Sequence, residues 1–200
     1  RIKEITNIKC NNNLFKINCD KKNLLHVLKI LKDNNNFLFN QLLDITAVDY
    51  PSREFRFDIV YILQSLKKNK KVIITTSLKD SETIDTSTSI HKAADWYERE
   101  CYDLFGIEFT GHPDLRRIMT DYSFEGHPLR KDFPLTGHTE VRYDDLEKKV
   151  IYEPVKLSQE FRNFDSDSPW EGINNDLIGD EKSDMDKNWY ERGRIEYNNY

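Results

Sequence analysis

Two apolar runs of matching length, Arg56-Phe-Asp-Ile-Val-Tyr-Ile-Leu63 and Val72-Ile-Ile-Thr-Thr-Ser-Leu78, flank a lysine-rich tip, Lys67-Lys-Asn-Lys-Lys71. β-Branched and aromatic residues dominate both runs and the tip between them is short, so the pair predicts an antiparallel hairpin. Upstream, Leu14-Phe-Lys-Ile-Asn18 alternates apolar and polar residues, as a strand does. Asp20 then offers a helix cap, and Leu24, Leu25, Leu28 and Leu31 fall at helical spacing up to Lys32. Asp44-Ile-Thr-Ala-Val-Asp-Tyr50, closed by Pro51, reads as a further β segment ending in a turn. A helix followed by a meander predicts an α+β sandwich with a mostly antiparallel sheet and helices on one face.

Residues 79–89 are polar and predict a loop. A second helix follows, starting either at the capping-box pattern Asp95-Trp-Tyr-Glu98 or nearer His91, and stopping at Gly106. On it Glu100 stands beside an apolar stripe, and Arg99 and Asp103 have the spacing of an i,i+4 ion pair. Val141–Asp145 and Lys149–Pro154 predict two extended segments around a turn at Leu146-Glu-Lys148. This divides the chain into an α+β domain (1–106), an extended partner-binding arm (107–170) and an acidic tail (171–200). The tail keeps Trp189, Tyr190, Tyr197 and Tyr200 among few aliphatics, which suits a strap lying on another protein.

Composition narrows the function classes. Thirty basic against 35 acidic residues give a net charge of −5, which disfavours a nucleic-acid surface. The longest apolar run, Ile59–Leu63, is far short of the ~20 residues that span a bilayer, so any membrane link goes through a partner. Cys10, Cys19 and Cys101 stand far apart, which speaks against a disulfide scaffold, a structural zinc site or an iron–sulfur site built by this chain alone. The chain opens on Arg1 without Met or a signal-type apolar region, so its start is expected to lie elsewhere.

The stretch from Trp96 to Gly137 is the densest in paired charge and turn signals. His112, His127 and His138 with Asp114 or Asp132 are of metal-ligand type, but each histidine adjoins a glycine, twice before proline, and that is turn chemistry. Glu98 and Glu100 diverge by roughly 200° on a helix and cannot serve one substrate as an acid–base pair. Cys101 sits mid-helix without an activating base, and the chain has no glycine-rich phosphate loop. Arg116, Arg117, Arg130 and Lys131 alternate with Asp114, Asp121, Glu125 and Asp132 around Tyr122, Phe124, Phe133 and Pro134. Mixed charge with aromatic anchors suits a large, permanent protein interface.

At these residues the chain resembles the thirty-kilodalton subunit of respiratory complex I, NADH:ubiquinone oxidoreductase. Glu98-Arg99-Glu100, Asp103, Leu104-Phe105, His112, Arg116 and Ile118 stand at the family's spacing. The match runs on through Asp121-Tyr122, Phe124–Pro128, Arg130–Leu135, Val141-Arg-Tyr143, Glu153-Pro154, Gln159–Arg162 and Ser168-Pro-Trp170. Upstream, Asp44–Pro51 and Arg56–Tyr61 also fit, so the likeness covers roughly residues 14 to 170. Ser123 stands where the family has Gly, and His138 where it has Tyr.

The resemblance implies a structural core subunit of the peripheral arm that supports H+-translocating NADH:ubiquinone reductase activity. It implies no catalytic, cofactor-binding or metal-binding residue on this chain, with FMN, iron–sulfur clusters and ubiquinone held elsewhere in the complex. The implied partners are the forty-nine-kilodalton quinone-reducing subunit and other peripheral-arm subunits. The interface it implies comprises Glu98, Arg99, Glu100, Asp103, His112, Asp114, Arg116, Arg117, Asp121, Tyr122, His127, Arg130, Lys131, Asp132 and Phe133. The expected place is the matrix side of the mitochondrial inner membrane, or the cytoplasmic face of a bacterial plasma membrane. The alternatives are the equivalent subunit of a related membrane-bound hydrogenase or dehydrogenase and, from another class, a stand-alone His/Asp metal hydrolase.

Overall fold

A computed structural model describes residues 5–11 and 14–159, with side chains from Leu14 onward. It divides into two compact units, Arg1–His138 and Thr139–Tyr200. The boundary expected after Gly106 therefore falls inside the first unit, because the residues that follow are tied back to the helix before them. The tail 171–200, and the matches at 160–162 and Ser168–Trp170, lie outside the described residues.

The first unit is a mixed α/β layer. Strands β1 (Ile5–Asn11), β2 (Leu14–Cys19), β3 (Gln41–Asp49), β4 (Phe57–Ser65) and β5 (Lys70–Leu78) form one sheet in the order β1-β2-β5-β4-β3. All neighbours are antiparallel except β2 and β5, which run parallel. The expected antiparallel β4–β5 hairpin forms, with Tyr61 opposite Ile74 and Ser65 opposite Lys70, and its tip turns at Asn69 in the left-handed region (φ 48°).

Side chains alternate across a strand, so one phase of each strand builds the core. Phe57, Ile59, Tyr61 and Leu63 of β4 pair in register with Leu78, Thr76, Ile74 and Val72 of β5, and all eight are buried. Ile45 and Ala47 of β3 and Ile17 and Cys19 of β2 extend that layer. Helix α1 (Leu24–Asp33) contributes Leu24, Val27, Leu28 and Leu31, and helix α2 (Ala94–Phe105) contributes Ala94, Cys101 and Phe105, to the same core. Each buried Val, Leu, Ile or Phe side chain adds roughly 1.5–3 kcal/mol of burial, and Phe105 is the one α2 contributes to this layer at that size. The Cys101 thiol donates to the Ile45 carbonyl at 3.3 Å, fixing where α2 crosses β3.

The polar stretch after β5 is mostly loop, with a two-residue strand β6 (Ile84–Asp85) parallel to β7 (Phe109–Thr110). In the second unit the two expected extended segments, β8 (Thr139–Asp144) and β9 (Lys149–Pro154), pair as an antiparallel hairpin, with Val141 opposite Tyr152 and Tyr143 opposite Val150. Asp144 Oδ1 accepts the Leu146 N–H at 2.9 Å and so shapes its turn.

Candidate functional site

Helix α2 carries the Glu-Arg-Glu triplet. Neither expected start is used as such: the helix begins at Ala94 behind Ala93, without a side-chain cap. Glu98 cannot close a capping box because its carboxylate is fully buried and points at the preceding loop. Its Oε1 accepts the Ser87 N–H at 2.7 Å and the Ser87 hydroxyl at 2.6 Å, and its Oε2 accepts the Thr86 hydroxyl at 2.5 Å. Glu98, rather than Glu100, is thus the carboxylate in the apolar layer, while Glu100 is half-buried. His112 is packed beside it, with a wholly buried side chain. Its Nδ1 accepts the Asp114 N–H at 3.1 Å, so Nε2 carries the hydrogen and donates to the Asp95 carbonyl at 3.1 Å.

Asp103 takes Arg117 as its partner, not Arg99. Its Oδ2 accepts three backbone N–H groups, from Ile118, Met119 and Thr120, at 3.0, 2.6 and 2.9 Å. Its Oδ1 accepts the Thr120 hydroxyl at 2.5 Å and Arg117 Nη1 at 2.9 Å. Burial pushes this carboxyl's pKa upward, but the hydrogen bonds from Thr120, Met119 and Ile118 outweigh it and leave the group below the usual carboxylate range. Arg99 instead donates to the Arg116 carbonyl at 3.2 Å and lies over the Trp96 ring, 5.0 Å from its centre.

The C-terminus of α2 is closed by side chains and backbone from the loop beyond it. A helix ends with four carbonyls lacking intrahelical partners. Here Tyr102 O accepts the Gly106 N–H at 2.9 Å, Asp103 O accepts His127 Nδ1–H at 2.8 Å, Leu104 O accepts the Leu129 N–H at 3.0 Å and Phe105 O accepts Arg130 Nε–H at 2.6 Å. Gly106 has φ 74°, and a Cβ there would come within 2.5 Å of His127 Nε2, so only glycine fits.

A further anchor is Asp49, at the end of β3 with its carboxylate wholly buried. Arg56 grips it with two bonds, Nε to Oδ1 at 2.8 Å and Nη2 to Oδ2 at 3.0 Å, and the Lys131 N–H donates to Oδ2 at 2.8 Å. The Arg56 bonds, against the effect of burial, hold this carboxyl's pKa below its ordinary value. Arg56 also reaches Asp132 at 2.9 Å and Asp80 at 3.1 Å, which brings the segment 130–132 onto the end of the sheet. Arg130 lies over Phe57, 5.1 Å from the ring centre.

The motif residues therefore separate into two sets. Glu98, Arg99, Asp103, His112, Arg117, His127 and Arg130 are engaged within the chain, and Lys131 contributes its backbone N–H. Asp114 and Arg116 pair with each other at the surface, 2.9 Å apart. Phe133 lies tilted against Phe124 and meets the His138 ring edge-on. Asp121 and Tyr122 face solvent, Tyr122 at 82% exposure, with Met119, Leu129 and Leu135 (85%). Among the described residues no three His, Cys, Asp or Glu side chains converge as a metal-holding group. Asp49, Arg56, Asp80, Thr86 and Ser87 complete the network; none of them is an expected site residue, although Asp49 and Arg56 lie in the segments Asp44–Pro51 and Arg56–Tyr61. Asp49 carries the clearest signal of the five, since it follows Ile45 and Ala47 in the buried phase of its strand, where a carboxylate needs a cation.

Comparison with known proteins shows the family. The family described as "Respiratory-chain NADH dehydrogenase, 30 Kd subunit" matches residues 17–139. The C subunit of the NADH-quinone oxidoreductase of Parvibaculum lavamentivorans is 55% identical over 163 residues, covering 82% of each chain. The protein of the same name from Azorhizobium caulinodans is 56% identical over 161 residues, covering 79% of this chain and 76% of its own. Among solved structures, a chain of the membrane-bound sulfane sulfur reductase, an archaeal respiratory membrane complex, superposes with a TM-score of 0.60 at 27% identity, covering 67% of this chain and 79% of that one. With the family's motif folded into one clamp between α2 and the sheet, the chain belongs to the 30-kDa subunit family of respiratory-chain NADH dehydrogenase, the family of the C subunits of NADH-quinone oxidoreductases.

Proposed function

We propose that this chain is a non-catalytic core subunit of the peripheral arm, and that the outer side of the 111–138 loop seats on the forty-nine-kilodalton quinone-reducing subunit. The observation that carries this reading is the division of labour among the motif residues. His112, Arg117, His127 and Arg130 turn inward and fix the loop's backbone, and Met119, Tyr122, Leu129 and Leu135 are left pointing out beside the surface charges Asp114, Arg116 and Asp121. A rigid loop presenting aromatic and aliphatic anchors binds without an ordering cost at the interface. Cys19 and Cys101 are packed in the apolar core, far from each other in the sequence, and burial pushes the Cys19 thiol up to about 11 and the Cys101 thiol higher still, so neither serves as a nucleophile.

The test separates assembly from chemistry. Tyr122→Asp combined with Leu135→Asp alters only exposed side chains, so the isolated chain keeps its stability. The amount of intact NADH-oxidising complex on a native gel should fall several-fold, with normal turnover in the remainder. A normally abundant complex that has lost turnover would contradict the reading.

The two bacterial relatives lie at 55% and 56% identity and the sulfane sulfur reductase chain at 27%, which favours NADH as the donor over a related membrane-bound system. The reading puts the chain peripherally, on the matrix side of the mitochondrial inner membrane, and no helix of the described residues is long and apolar enough to cross a membrane. The bacterial sources of the relatives favour the cytoplasmic face of a plasma membrane as the second reading. Alkaline extraction releases the chain from membranes in either case, and retention would contradict peripheral placement.

A further inference from the structure

The β4–β5 hairpin ends in a cationic tip. The Asn69 N–H donates to the Leu66 carbonyl at 3.4 Å, closing a turn with Lys67 and Lys68 at its two corners. Lys70 and Lys71 open β5 directly behind it, so four exposed lysines stand within residues 67–71. β2 begins in register with Lys71 and β3 with Gln64, so residues 65–70 extend past both neighbouring strands. The residues in register around the tip, Leu14, Gln41, Gln64 and Ser65, are uncharged. Among the described residues no carboxylate pairs with any of the four lysines, and Lys70 lies over the Phe15 ring, 5.2 Å from its centre. Lysines elsewhere do find acids: Lys21 pairs with Glu82, Lys79 with Glu54 and Lys149 with Glu147. Leu66, at the start of the turn, is 72% exposed. A chain of net charge −5 thus gathers unanswered positive charge around one exposed leucine.

We propose that this tip is a membrane-contact site for the anionic headgroups of a phospholipid surface, with Leu66 entering the headgroup layer. Lysine alone supplies the charge, and an ammonium suits mobile lipid phosphates, whereas reading a fixed planar acid favours the arginine fork. The turn carries no aromatic ring for a nucleic-acid base to stack on. The leucine gains only where an apolar layer lies beneath the charged one. The acidic body does not prevent approach, because salt screens its repulsion beyond about 10 Å while the lysines touch the surface. Each lysine at an anionic surface is worth roughly fivefold in affinity. The contact is direct, reversible and salt-sensitive. It also lies at the far end of β4 from Phe57, where Arg130 and the Asp49–Arg56 pair hold the 111–138 loop. At ~3.3 Å per residue the strand keeps the two ends roughly 26 Å apart, so both can be engaged at once.

The experiment mixes the full chain with vesicles of phosphatidylcholine, alone or with about a third phosphatidylglycerol, and reads the bound fraction by flotation. Binding to the anionic vesicles should exceed that to the neutral ones about tenfold at low salt and fall as salt rises. Lys67→Gln, Lys68→Gln, Lys70→Gln and Lys71→Gln combined should lower it on the order of a hundredfold or more, with an unchanged melting temperature. Leu66→Ser should lower it several-fold, and Lys79→Gln with Lys149→Gln should bind as the original chain does. Equal binding to both vesicles, or undiminished binding by the four-lysine variant, overturns the proposal. So does tighter binding to single-stranded RNA that ignores Leu66→Ser, which assigns the tip to nucleic acid. Full displacement by inorganic phosphate at matched ionic strength assigns it to a free anion and also overturns the proposal. The vesicles contain no other subunit, so a chain that ignores them yet co-migrates with the complex sinks this inference alone.

Discussion

A buried carboxylate survives only where hydrogen bonds replace its water, and Asp103 collects five of them from one short segment, residues 117–120. Asp103→Ala removes the acceptor and leaves three backbone N–H groups and Arg117 to rearrange. The expected cost is about 3–5 kcal/mol, read as a fall in the denaturation midpoint, and a loss under about 1 kcal/mol would mean that the segment is held some other way. His91 supplies the pH dependence. Burial first, then the neighbouring Lys32 charge against the opposing Asp33, lowers its pKa to about 4. Folding therefore holds it neutral where the unfolded chain protonates it, and stability present above pH ~6.5 is lost as pH falls towards 4. Burial shifts His127 in the same direction, so it adds to the same window. Asp49 and Asp103, with lowered values, act only below the ordinary carboxylate pKa. His91→Leu should flatten the melting temperature between pH 6.5 and 4, and an unchanged slope would remove His91 from the account. His91 leaves no signal in the sequence, because desolvation is a property of its surroundings.

At the scale of elements, the loop from Gly111 to His138 is best understood as the C-terminal cap of α2. Its His127, Leu129 and Arg130 satisfy three of the helix's last carbonyls, and the cationic Arg130 also suits the negative end of the helix dipole. Gly106→Ala forces a left-handed conformation costing roughly 1–2 kcal/mol on an alanine, and its Cβ displaces His127. The loop should then become open to protease between Arg117 and Arg130 while the β4–β5 core stays folded, and equal resistance to cleavage would contradict the capping role. The hairpin and both helices are legible in the sequence, because their apolar periodicity reports burial directly. Gly106 is legible too, as the stop. The start of α2 is not, since Asp95 and Glu98 have the spacing of a cap but serve other partners, the first meeting His112 and the second Thr86 and Ser87. Long-range partners of that kind leave no trace in local spacing.

For the whole molecule, the distribution of charge and apolar surface is the informative quantity. Glu98, Arg99, Asp103, Arg117 and Arg130 of the motif hold the first unit together, and Met119, Tyr122, Leu129 and Leu135 of the loop remain outside among surface charges. That is the pattern of a part shaped for a larger assembly. The sequence marks the motif residues as one group, and those turned inward, such as Asp103 and Arg117, share their spacing with those at the surface, such as Asp114 and Arg116. Co-migration of the tagged, full-length chain tests the central claim most directly. On a native gel of solubilised membranes the chain should run with the NADH-oxidising, quinone-reducing complex, and deleting it should abolish that band. A chain that migrates alone, with NADH-quinone activity unchanged by its deletion, would contradict the account.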